Sequence, residues 1–426
     1  MFNGINNFIR NERMHFRLFD LGIFFLASAP TISIFFLIIS SFTGSLKRKD
    51  NFFKDKINYP FFMASLLILI SSIWLFIFGE PKLQLSKESL LLGSINWIPF
   101  FYVFWAFKKF LATDSLRRRC ANLLICGTLP VLLSGILQKI FKIYGPFSIL
   151  DKFIIWYQKD EYNLTAVFNN PNYAATWLCL ILPFCFAKLL SNKVSNIKKI
   201  SYLILTITTI ACIIYTNSRN GFLSIILSSV IMLDVFSKIY LLVPFIIILF
   251  LLSIGSFLFA SNMEIFPYGE IFKKLKFPDL TNFNELPRVK IMKSALYYIY
   301  KRPFLGWGAA TFPVVYKFLE NPNEDLIFFN TQHTHNIFLE VAYIYGIPVS
   351  LLIFIPISLI IYKSSININS KNSYYEKAWK LSAIIFIVMS QFDFTYYDVR
   401  LSTLFWILIT GLSCCRSRDN KLINSN

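Results

Sequence analysis

The chain has 426 residues, of which 56% are hydrophobic, 18% aromatic and only 15% charged, with a mean hydropathy of +0.56. That is more apolar surface than a water-soluble protein of this length can bury, so a soluble enzyme is excluded and a polytopic membrane protein is expected. The net charge of +19 does not point to nucleic acid, because the cations lie between apolar spans and form no basic domain with interleaved stacking aromatics.

The first apolar run, 21–43, has Pro30 near its centre, where a proline breaks a helix or starts a turn. Read as one span, it leaves Arg10, Arg13 and Arg17 outside; read as a hairpin of helices 16–29 and 31–44, it keeps the N-terminus in the cytoplasm, and the hairpin is preferred. No small-residue cleavage site follows, so this run is expected to serve as an uncleaved insertion signal. Further segments of spanning length lie at 60–79, 90–107, 120–141, 172–190, 200–216, 222–237, 239–260, 337–362, 378–392 and 401–415. The fold class expected is therefore an all-α polytopic bundle of about 11–12 transmembrane helices. Residues 1–426 form a single transmembrane domain.

Lysine and arginine crowd the short loops at 47–56, 108–119, 188–199, 363–377 and the tail 416–421. By the positive-inside rule these are cytoplasmic, which places 80–89, 142–171, 217–221, 261–336 and 393–400 outside. The stretch 261–336 is too long for a connector and is expected to be structured. Within it Ile291, Met292, Ala295, Leu296 and Ile299 recur at helical spacing between Pro287 and Pro303, which predicts an amphipathic helix on the outer membrane boundary. The seven cysteines sit in apolar segments or at their inner ends, without metal-ligand spacing or a pairing framework, and are read as packing residues.

Candidate chemistry gathers in the outer set. Asn217-Ser218-Arg219-Asn220-Gly221 is a turn whose single charge is either a snorkelling arginine or a clamp for a phosphate, whose oxygens the guanidinium fork fits. Arg288 opens the loop helix, where the helix N-terminus adds attraction for an anion. In Asn330-Thr331-Gln332-His333-Thr334-His335-Asn336 two of the three histidines of the chain meet a membrane helix. His335 is either a capping residue or a base, and His333, one step farther from the helix, is the more structural of the two. Glu340 is an intramembrane acid, but five residues past His335 it faces about 140° away on a helix and is not an obvious orienting partner. Two histidines at i, i+2 without cysteine or spaced carboxylates do not make a metal site.

Taken together, Phe168-Asn169-Asn170-Pro171-Asn172-Tyr173-Ala174, Ser218-Arg219-Asn220-Gly221, Arg288 followed by Pro303-Phe304-Leu305-Gly306-Trp307-Gly308, and His335-Asn336 with Gly346 eleven positions on resemble the O-antigen ligase and polymerase superfamily. The resemblance runs over about 165–415 and implies a metal-independent, cofactor-free glycosyltransferase of about 12 spans in a bacterial inner membrane, with 261–336 as its large periplasmic loop. It implies that Arg219 and Arg288 bind the pyrophosphate of an undecaprenyl-linked glycan, that His335 activates the acceptor hydroxyl, and that Asn336 and His333 lie at the substrate. Arg302 stands where the family usually has histidine, which leaves that position without an assigned role. Gln391-Phe392-Asp393-Phe394-Thr395-Tyr396-Tyr397-Asp398-Val399-Arg400 resembles a cyanobacterial branch of the superfamily, and Asp393 matches its acid; the structural reading of this stretch is a salt link between Asp398 and Arg400.

The expected partners are an undecaprenyl-pyrophosphate glycan, a glycolipid or glycan acceptor and membrane lipid, with no nucleic acid. A repeat-unit polymerase is the alternative within the class. A transporter of bicarbonate or lipid-linked sugar is the alternative outside it, disfavoured because the polar candidates lie at the outer rim and no repeat is visible.

Overall fold

A computed structural model of the chain describes residues 12–46, 52–79, 87–159, 162–191, 194–233, 287–320, 332–366 and 374–423; the expected span 239–260, the loop residues 261–286 and Asn330-Thr331 lie outside them. The first apolar run is two helices, α1 (Glu12–Phe25) and α2 (Pro30–Leu46). They pack closely enough that a Cβ on Gly22 would lie 2.6 Å from the Leu37 side chain, and Ser33 Oγ donates to the Gly22 carbonyl at 2.6 Å. α3 (Asn58–Phe78) follows. The expected span 90–107 is broken into α4 (Lys87–Ile95) and α5 (Ile98–Ala106), because Pro99 has no N–H to continue a helix across Asn96-Trp97 and sits in the first turn of a new one.

α6 (Asp114–Lys139) leads to an antiparallel hairpin of β1 (Phe147–Ile149) and β2 (Phe153–Trp156) that apolar periodicity gave no sign of. Then come α7 (Pro171–Leu189), α8 (Asn196–Tyr215), α9 (Arg219–Met232), α10 (Pro287–Lys301), α11 (Phe312–Glu320), α12 (Ile337–Tyr345), α13 (Ile347–Ile366), α14 (Tyr374–Met389) and α15 (Val399–Ile423). The expected single span 337–362 is thus two helices. Gly346 between them has φ +92°, a left-handed value that ends α12 and redirects the chain. Among the described residues six helical stretches are long and apolar enough to cross a membrane, one of them Glu88–Ala106 taken across the α4–α5 break, with three shorter apolar helices beside them. The protein is an all-α polytopic membrane protein.

α7 and α15 form the centre, with Leu178 to Leu182 and Leu404 to Ile409 fully buried. Trp406 meets Phe61 and Phe101 edge to face at 5.4 and 5.5 Å. Lipid tails are as apolar as these side chains, so close packing and hydrogen bonds hold the helices together, not exclusion from water. Ser382 Oγ donates to the Leu180 carbonyl at 2.7 Å and Trp177 Nε1 to Thr128 Oγ1 at 3.0 Å. Outside the core, Ile70, Ile73, Trp74 and Ile77 of α3 are exposed, as a lipid-facing stripe requires.

Candidate functional site

The turn 332–336 and the loop 390–398 meet at the head of α12. Asn336 is the helix N-cap: its Oδ1 accepts from the N–H groups of Phe338 (3.0 Å) and Leu339 (3.1 Å), and its Nδ2 donates to Gln391 Oε1 at 2.9 Å. The amide expected at the substrate is therefore committed to holding the turn against the loop, and the Ile337 N–H adds a 2.9 Å bond to the Ser390 carbonyl. His335 has φ +56°, which a non-glycine residue adopts only where neighbours fix it. Its Nδ1 lies 3.5 Å from Asp393 Oδ1, both side chains partly open to solvent. This is an ion-pair distance, longer than a hydrogen bond, and such contacts often tighten when substrate binds.

A second carboxylate sits beneath. Glu340 is buried; its Oε2 accepts the Thr334 N–H at 2.8 Å and its Oε1 lies 3.2 Å from His333 Nδ1. Tyr397 faces the same carboxylate; burial first, then the charge of Glu340, pushes its phenol well above its ordinary pKa, which keeps it neutral. The His333 ring packs on Phe394 and Tyr397 at 5.3 and 5.0 Å. His335 lies outside the helix, at a left-handed φ, and the acid engages the two residues ahead of it.

The far end of α12 is clasped by the turn 303–308. The N–H groups of Trp307 and Gly308 donate to the carbonyls of Tyr343 (2.8 Å) and Ile344 (3.0 Å), and the Ile347 N–H to that of Pro303 (2.7 Å). Gly306 and Gly346 are required by this approach, since a Cβ would lie 2.4 Å from the Ile344 backbone at the first and 2.2 Å from the Phe304 oxygen at the second. Arg302 stacks its guanidinium on Trp307 at 4.1 Å, which gives that position a packing role. α10 buries Ile291, Ala295, Tyr298 and Ile299, packing against α12, while Leu296, Tyr297 and Tyr300 face outward. The helix expected to lie on the membrane boundary is docked on the bundle along one face.

Asp398 and Arg400 form the salt link expected on structural grounds, with Arg400 Nε 2.8 Å from Asp398 Oδ1 and the guanidinium 3.8 Å over the Phe168 ring. Asn170 caps α7, its Oδ1 accepting the Asn172 N–H at 2.8 Å, with Pro171 at the first helical position. These two stretches wall a cleft of about 630 Å³ with Asn169, Tyr173, Tyr397, Tyr157 and the β2 edge. The described geometry thus brings together His333, His335, Asn336 and Asp393. Arg219 and Arg288 are each exposed in the first turn of their helices, α9 and α10.

Residues 204–354 match the family model described as O-antigen ligase. Residues 204–354 are thus similar to O-antigen ligases. The match takes in Arg219, Arg288, the 303–308 turn, His335 and Gly346, and it ends before Asp393 and the stretch that resembles the cyanobacterial branch. No curated protein matches the chain. The match supports ligase- or polymerase-type glycan transfer by a membrane enzyme, with lipid-linked glycans as the general class of substrate. Within that frame the residues that sequence reading missed are Glu340 as a partner of His333, Gln391 as the brace of Asn336, and Tyr397. Gln391 and Tyr397 stood in a stretch already singled out, but only the tertiary fold shows which groups they meet.

Proposed function

We propose that this protein transfers a glycan from an undecaprenyl-pyrophosphate donor to a hydroxyl of a glycolipid or glycan acceptor at the periplasmic face, with His335 as the general base. The observation that carries the reading is the His335–Asp393 pair at the head of α12. With Nδ1 toward the carboxylate, Nε2 is the nitrogen left to take the acceptor proton, and the carboxylate stabilises the imidazolium that forms. The acceptor oxygen bonds to the anomeric carbon as the bond to pyrophosphate breaks, and the pyrophosphate leaves with that electron pair. Arg219 and Arg288, at exposed helix starts, supply fixed positive charge for the leaving group. The cleft walled by Asn169, Tyr173 and Tyr397 is of the size that small-molecule sites have, and offers amide and phenol groups to a sugar.

Analysis of surface glycans in a strain lacking the gene tests the reading: loss of attached polymer supports a ligase, a single capped repeat supports a polymerase, and unchanged glycan overturns both. Arg219→Ala and Arg288→Ala are each expected to lower transfer by about 100-fold or more at normal protein level, as loss of a preorganised donor to a charged leaving group does. Lysine should rescue only in part, because an ammonium lacks the guanidinium fork. Full activity in both alanine variants would return the arginines to lipid-headgroup contacts. For the face of the membrane, a cysteine introduced near Asn323, in a chain stripped of the exposed Cys126, should label with an impermeant reagent in spheroplasts, whereas one after Cys415 should not. The reverse pattern overturns the outer-face assignment.

A further inference from the structure

We propose that Glu340 is a positioning residue that ties the turn bearing His335 to the loop bearing Asp393, so that base and orienting acid are held against one buried carboxylate. The inference rests on His335 being the base. In a capping box the acid is the third residue of the helix and reaches back to the N–H of the cap itself. Glu340 is the fourth residue after the cap Asn336, and its Oε2 reaches two residues beyond the cap, to the Thr334 N–H at 2.8 Å. It therefore organises the turn ahead of the helix and not the helix start. That turn needs organising, because His335 sits at φ +56°, where most side chains are strained and a freed turn would relax.

The second contact of the tie comes from the opposite side. Tyr397, from the loop that also carries Asp393, faces the same carboxylate across the His333 ring, which packs 5.0 Å from it. His333 fills the remaining side, its Nδ1 3.2 Å from Oε1 and its ring packed between Phe394 and Tyr397. One side chain, 2% exposed, thus bonds two residues of the His335 turn, and through the His333 ring it is packed against Phe394 and Tyr397 of the Asp393 loop. Asn336 and Gln391 make the matching tie on the other side of His335. Removing Glu340 frees only the first of these, which is why the turn is expected to loosen without the helix unfolding.

The test uses the purified full-length chain and transfer from an undecaprenyl-pyrophosphate glycan, comparing E340A, E340Q and H333A with wild type and H335A. E340A is expected to lower kcat by about 100-fold, the scale on which a misplacement of ~1 Å acts, with KM for the donor unchanged. E340Q keeps an oxygen for the Thr334 N–H and should stay within about tenfold of wild type, since only the charge on that bond is lost. H333A should be mild. Independently of activity, the chain holds three histidines, so 15N-imidazole spectra resolve His335, and its resonance should shift in E340A and less in E340Q. Wild-type kcat in E340A, an unmoved His335 resonance, or E340Q or H333A as damaging as E340A overturns the tie. A wild-type chain that transfers nothing would instead sink the proposed function, and the His335 resonance would still decide the tie.

Discussion

Replacing His335 by alanine is expected to abolish transfer, with kcat falling by about 10²–10⁴-fold, the range a positioned general base contributes. The fold should survive, because alanine meets no more strain at φ +56° than histidine does, and the turn remains held by Glu340 and by the Asn336–Gln391 bond. The same substitution at His333 should leave substantial activity. EDTA should leave the rate unchanged. Wild-type rates in the His335 variant would remove the base, and a loss with EDTA that a divalent ion restores would break the metal-free scheme.

The second large effect is structural. Gly346→Ala puts a Cβ 2.2 Å from the Phe304 carbonyl oxygen at a φ of +92°, and the obstacle is backbone, not a side chain that can swing away. The cost is expected to be about 3 kcal/mol or more, combining left-handed strain with overpacking. It should be read as a fall in melting temperature of the detergent-purified protein and a loss of folded material in the membrane. An unchanged melting temperature would mean that the 303–308 turn does not clasp α12 as described.

The spans were legible because lipid imposes a minimum apolar length, and the positions of Pro30 and the Lys/Arg clusters carried the N-terminal hairpin into view. What breaks the spans was harder to read. Gly346 and Pro99 act through local backbone geometry, and a run of apolar residues looks the same on either side of them. The β1–β2 hairpin escaped for a different reason: its strands are three and four residues long and largely exposed, so they show no alternation of buried and open positions. At the candidate site the residue types were visible, but their pairing was not. Glu340 meets His333 because the left-handed residue at 335 turns the chain back over the first turn of α12, and a helical wheel has no place for residues outside the helix. Asp393 reaches His335 from a loop between two other helices, a proximity that no spacing encodes.

The clasp between the 303–308 turn and the end of α12 is made almost wholly of main-chain atoms, three N–H groups and three carbonyls, with glycines where nothing else fits. A joint of that kind does not depend on which side chains surround it. Changes of side chain around the joint are therefore expected to leave α10, which runs into the 303–308 turn, on the same seat along α12. The two ends of α12 are thus held by different chemistry, side chains at one and main chain at the other, so that substitutions at the first leave the second in place.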